Sequence, residues 1–104
     1  MSNLKYVNEY MIEFALPVPF DDEFLSLIPR QRAIINKQLN EGIITSYAVS
    51  IESGKMWASI IAGSESEVLE IISEWPIIDK ITYKINKLAF HNSASFSIPK
   101  FSEN

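Results

Sequence analysis

Few side chains in this sequence stand where proton transfer or ligand binding would need them. Glu13 lies inside the run Tyr10-Met11-Ile12-Glu13-Phe14-Ala15-Leu16. A carboxylate among apolar neighbours keeps its proton to higher pH unless a cation pairs with it, which is one way a general base is made. The competing role for Glu13 is a structural carboxylate paired with Lys84 or Arg32. His91 is the single histidine. It can carry protons near neutral pH or serve as a hydrogen-bonding residue at a strand end, and alone it cannot build a metal site. Trp57 suits either an aromatic pocket wall or an interface anchor. Arg32 can clamp a carboxylate or simply sit on a solvated face. Tyr47 reads more as a core aromatic than as a proton donor. Ser59 interrupts the apolar run Trp57–Gly63 and is a polar group for a pocket lining.

The elements that would position these residues follow from periodicity. A first strand spans Tyr6–Leu16 and ends at Pro17-Val18-Pro19, where proline cannot donate to a ladder. A helix starts near Asp21-Asp22-Glu23, whose charge suits the helix N-terminus, and stops at Gly42. Phe24, Leu27, Ile28, Gln31, Ile35, Gln38 and Leu39 form its buried stripe, in phase across Pro29, so a kink is expected rather than a break. Strands at Ile43–Ile51 and Met56–Ala62 flank the turn Glu52-Ser53-Gly54-Lys55. Ser64 and Glu67 form a capping box for a second helix, with Val68, Leu69, Ile71, Ile72 and Trp75 on its core face and Pro76 closing it. The last strand is Lys80–Leu88.

The order strand, helix, strand, strand, helix, strand predicts an α+β ferredoxin-like βαββαβ fold with an antiparallel sheet of order 4-1-3-2. Alternation then assigns the faces. Tyr10, Ile12, Phe14, Leu16, Tyr47, Val49, Ile51, Met56, Ala58, Ile60, Ile81, Tyr83 and Ile85 turn toward the helices. Met11, Glu13, Ala15, Ser46, Ala48, Ser50, Trp57, Ser59, Ile61, Thr82, Lys84 and Asn86 turn away. Two helices cover one face only. Met11, Trp57 and Ile61 on the other call for a second copy packed against it, with the small and polar residues lining a cavity.

Composition narrows the classes. The 104 residues are 47% hydrophobic and 21% charged with no cysteine, which makes one globular domain, expected over 1–91, with a Ser- and Asn-rich tail over 92–104. The lack of cysteine and of a signal-peptide pattern or apolar span favours a cytoplasmic protein without a membrane partner. A net charge of −4 argues against nucleic-acid binding. No phosphate loop, dinucleotide fingerprint, nucleophile elbow or HExxH is present, so no cofactor or metal is expected.

Several short matches, in order and at similar spacing, resemble the muconolactone isomerase family of the dimeric α/β-barrel group, from the first strand through His91. Leu16-Pro17 resembles that family's Leu-Pro, and Arg30-Gln31-Arg32-Ala33 before Gly42 resembles its Arg-Glu-Lys-Ala helix and terminal glycine. Leu69 through Trp75-Pro76-Ile77 resembles its second helix end, and His91-Asn92-Ser93 its His-Pro-Ser. Glu13 stands where the family has an Asp. The resemblance implies a ferredoxin-like fold, a homodimer or higher homo-oligomer, a pocket between sheet and partner, and proton transfer on a lactone without metal or organic cofactor. Where the family enzyme carries Trp-Arg-His-Leu-Trp-Arg, this chain has Ile44-Thr45-Ser46-Tyr47-Ala48-Val49, without the basic residues that could hold a lactone carboxylate. Two functions are therefore expected: a cofactor-free isomerase for a small organic acid or lactone, with Glu13 as base, His91 as proton carrier and Trp57 as wall, or a non-catalytic module that binds a small molecule or only assembles.

Overall fold

Alternation along the central strand decides which way the sheet faces. In β1 (Asn8–Ala15), Tyr10, Ile12 and Phe14 are buried while Glu9, Met11 and Glu13 are only partly covered. The computed structural model describes residues 7–94. After β1 come α1 (Asp22–Asn40), β2 (Ile44–Ser50), β3 (Lys55–Ala62), α2 (Glu65–Ile72), a short 3-10 turn (Ile78–Lys80) and β4 (Thr82–Lys87). The sheet order is β2-β3-β1-β4, the expected 4-1-3-2 seen from the other edge, and every pairing is antiparallel. Of the tail expected over 92–104, residues 95–104 lie outside the described residues, as does the start of the expected first strand at Tyr6.

The core lies between the sheet and the helices. Ile12, Phe14, Met56, Ala58 and Ile60 from the two central strands meet Phe24 and Ile35 of α1 and Val68 and Ile72 of α2. Each fully buried side chain of this size contributes about 1.5–3 kcal/mol relative to exposure. Asp21 caps α1 by accepting from the Phe24 N–H at 2.8 Å. Pro29 leaves α1 a single helix, and both it and Leu25, whose carbonyl loses a donor, face solvent.

Several expected details shift. Ser64 caps α2 through the Glu67 N–H, but the Glu67 carboxylate takes the Gly63 N–H instead of returning to Ser64. The helix ends at Ile72, so Trp75 lies in the turn beyond it, still only 1% exposed. There its indole N–H donates to Gln38 Oε1 at 2.8 Å and its ring packs on Phe14 at 5.1 Å. Ile51 falls outside β2 and is exposed, and Val49 and Tyr83 are half exposed despite facing the helix side. Both sit on edge strands, and the two helices lie over the central pair.

Candidate functional site

The sheet separates the residues singled out by sequence into two groups. Arg32 and Tyr47 lie on the helix side. Glu13, Trp57 and Ser59 lie on the helix-free face, Glu13 opposite Trp57 and Ser59 opposite Met11. His91 joins this second group through Glu9.

On the helix side, α1 and β2 diverge and leave an apolar cavity of about 380 Å³. Phe20, Phe24, Ile28, Val49 and Met56 supply its walls, and Gln31, Arg32 and Tyr47 its polar groups. The expected cavity was on the other face; it forms here because the edge strand outruns the helix cover. The Tyr47 hydroxyl donates to Met56 Sδ at 2.9 Å. Burial pushes the Tyr47 phenol up, partly offset by the neighbouring Gln31 side chain, so it stays protonated at neutral pH. Gln31 itself is 2% exposed. Its Oε1 accepts from the Ile77 N–H at 3.4 Å, but its Nε2, though close enough to Tyr47 to bias that hydroxyl, has no partner at hydrogen-bond geometry. Among the described residues it is the one buried side-chain polar atom left so. Gln38, two turns further along the same stripe, shows the alternative, its Oε1 accepting from the Trp75 indole.

On the helix-free face, Glu13 is not the buried carboxylate that its apolar neighbours suggest. It forms an ion pair with Lys55 at 2.8 Å and its side chain is 46% exposed. The partner is neither Lys84 nor Arg32: Lys84 lies directly opposite on β4, but it is Lys55, diagonally across on β3, that reaches the carboxylate, and Arg32 belongs to the helix side. The Lys55 hydrogen bond and charge, with smaller help from Trp57 and Lys84, hold the Glu13 carboxyl below its ordinary value. That is the opposite of the upward shift a general base near neutral pH requires.

The acid–base pair that the geometry does form is Glu9 with His91, Oε2 to Nδ1 at 2.9 Å. Thr45 Oγ1 donates to the same carboxylate oxygen at 3.0 Å. Desolvation pushes the Glu9 carboxyl up, but the hydrogen bonds from His91 and Thr45, the His91 charge and Ser59 outweigh it and hold it below its ordinary value. Sequence reasoning missed Glu9 although alternation places it with Glu13, and missed Gln31 although it named this amide within an apolar helix stripe. No group of three or more histidine, cysteine or acidic residues is placed to hold a metal among the described residues, and no described helix is long and apolar enough to cross a membrane.

Comparison with solved structures returns muconolactone isomerase, superposing with a TM-score of 0.67 over 86% of this chain and 96% of that one, at 14% sequence identity. The fold is that of muconolactone isomerase. No family model matches the chain, and no curated protein does. The muconolactone isomerase-like fold is thus carried by element order and sheet topology, which tolerate almost complete replacement of side chains.

Proposed function

We propose that the chain binds a small organic acid or lactone, with the helix-side cavity as its site. Gln31 is the observation that carries this reading. A buried amide donor without a partner costs about 1–3 kcal/mol, and a ligand carbonyl or carboxylate oxygen relieves that cost. The cavity, about 380 Å³, falls in the range of roughly 300–1,000 Å³ usual for small-molecule sites. Arg32 at its rim suits a carboxylate end, and Phe24, Ile28 and Met56 suit an apolar body. Among the described residues the lining holds no carboxylate or imidazole, so it supports binding better than proton transfer. Titrating muconolactone-type lactones and small aromatic acids while following tryptophan fluorescence tests the proposal. Saturable binding that weakens at least tenfold in Gln31→Leu is expected; wild-type protein indifferent to the whole set would discard it.

A second reading is a cofactor-free isomerase working as a homodimer. Its support is that Glu13, Trp57, Ser59 and His91 share the helix-free face, where a second copy would enclose them, together with a fold shared with an enzyme named for isomerisation. Incubating the chain with muconolactone and following the ring protons by NMR separates it from simple binding, since only an isomerase changes the spectrum with time.

A further inference from the structure

Five polar side chains on the helix-free face form one hydrogen-bonded chain. A β-bulge creates it: β2 advances from Ile44 to Ser46 while β3 moves only from Ile60 to Ser59. The extra residue, Thr45, brings a second hydroxyl to the same point. Ser59, fully buried, stands between Thr45 Oγ1 at 2.5 Å and Ser46 Oγ at 2.6 Å.

Donor accounting sets the direction of the chain. Ionised Glu9 only accepts, so Thr45 spends its one hydrogen on the carboxylate. Ser59 must then donate to Thr45, and Ser46 to Ser59. The same carboxylate oxygen requires His91 to present Nδ1–H, which leaves Nε2 with its lone pair in the neutral ring. No hydroxyl among the described residues is bonded to His91, so the arrangement activates no nucleophile and acyl transfer is not its chemistry. Beside it, Ile61 lies opposite Glu9 and Met11 opposite Ser59, both half-buried, making an apolar bed.

We propose that His91 is the base of a proton-transfer site on this face, with Glu9 as its positioning residue, acting on a flat, mostly apolar carbon acid laid across Met11 and Ile61. The proposal rests on the isomerase reading and moves its base from Glu13 to His91. Nε2 takes a proton from the carbon next to a carbonyl, the electron pair passes into the carbonyl as an enolate, and the imidazolium returns the proton to another carbon or to water. No oxidant or co-reactant is needed. Other charged groups on this face, Glu13, Lys55 and Lys84, belong to the far end of the sheet, with Glu13 four strand positions or about 13 Å from Glu9. Lys87 is paired with Tyr10 on the helix side. Thr45 and Ser46, the β2 members, do not titrate near neutral pH.

The probe is 5-nitro-1,2-benzisoxazole with the full chain. A base removes its ring C–H proton, the N–O bond breaks as the nitrile forms, and the coloured phenolate reports the rate. No lactone is involved, so failure here is distinct from failure of the isomerase reading in the muconolactone assay. The expected second-order rate constant exceeds that of free imidazole at the same pH at least tenfold and falls tenfold or more in His91→Ala. In Glu9→Leu, which removes the acceptor for Nδ1–H, the rate falls at least threefold and ring-nitrogen NMR no longer shows a single Nδ1–H tautomer. Circular dichroism verifies that both variants fold. A wild-type rate no greater than imidazole, a His91→Ala rate equal to wild type, or an unchanged rate and tautomer in Glu9→Leu would overturn the proposal.

Discussion

Glu9 accepts from both Thr45 and His91, so its ionisation is linked to folding. Its folded-state carboxyl is held below the ordinary value of 4.5. A lowered carboxyl adds stability that is present above the unfolded value and disappears as pH falls through the folded one. Glu9→Gln is therefore expected to be less stable than wild type at pH 7, with the gap closing below the ordinary value; paired urea melts across that range measure it, and a gap independent of pH would refute the linkage. The two helix glutamines make a second contrast. Gln38→Leu strands the buried Trp75 indole N–H and should cost about 1–3 kcal/mol. Gln31→Leu removes an Nε2 that has no partner but also strands the Ile77 N–H, which reaches Gln31 Oε1 only at 3.4 Å, so its cost should be smaller than that of Gln38→Leu. Equal losses in thermal melts would mean that Gln31 Nε2 finds a partner in solution. Both side chains are legible in sequence as polar members of a buried stripe. How each is partnered depends on where Trp75 and Ile77 land beyond the end of α2, and local pattern carries no record of that.

At the scale of elements, periodicity reports well wherever one face is buried. The order, the sheet topology and the phase of β3 follow from alternation, because Met56, Ala58 and Ile60 form a continuous aliphatic set against the helices. The bulge at Thr45 escapes the same reasoning: strict alternation through β2 assigns Ser46 correctly but hides that Thr45 shares its partner on β3. Glu13 escapes for a related reason, since its apolar sequence neighbours point to the opposite face while Lys55 arrives from the next strand. Two substitutions probe the elements. Pro29 sits inside α1, and Pro29→Ala restores a backbone donor at an exposed turn. A gain of about 1–2 kcal/mol is expected, the helix benefit of about 3 kcal/mol being reduced by greater freedom in the unfolded chain and by the existing adaptation of the helix. Gly54 has a φ of +65°, and a Cβ there would meet Val18 Cγ2 at 3.1 Å. Gly54→Ala should lose about 1–2 kcal/mol from the left-handed backbone alone, plus whatever Val18 must yield. Gly42→Ala, at a φ of +77° but with open space around its Cβ, isolates the backbone contribution, and urea denaturation of the pair separates the two costs.

The whole molecule has one sheet face covered by helices and one without cover. The uncovered face is a mixture: Met11, Trp57 and Ile61 are half-buried within the protomer, and Ala15, Thr82, Lys84 and Asn86 are exposed around them. An apolar centre with a polar margin is the usual plan of an interface, and a two-fold axis lets one such face serve both copies. A homodimer is the expected state, and it is also what would turn the His91 couple from an open surface into an enclosed site, since withdrawal from water strengthens the electrostatic effect on which base catalysis depends. Trp57 stands at the middle of that centre, opposite Glu13 on one side and Ala48 on the other. Trp57→Glu sets a carboxylate beside Glu13 and puts charge in the middle of the apolar centre, so it should dissociate the pair while leaving the helix-side core intact. Sedimentation velocity at tens of micromolar is expected to give twice the protomer mass for wild type and the protomer mass for the variant, with unchanged far-ultraviolet circular dichroism. Wild-type protein that sediments as a protomer would leave the face to solvent, and the His91 couple would then act without enclosure.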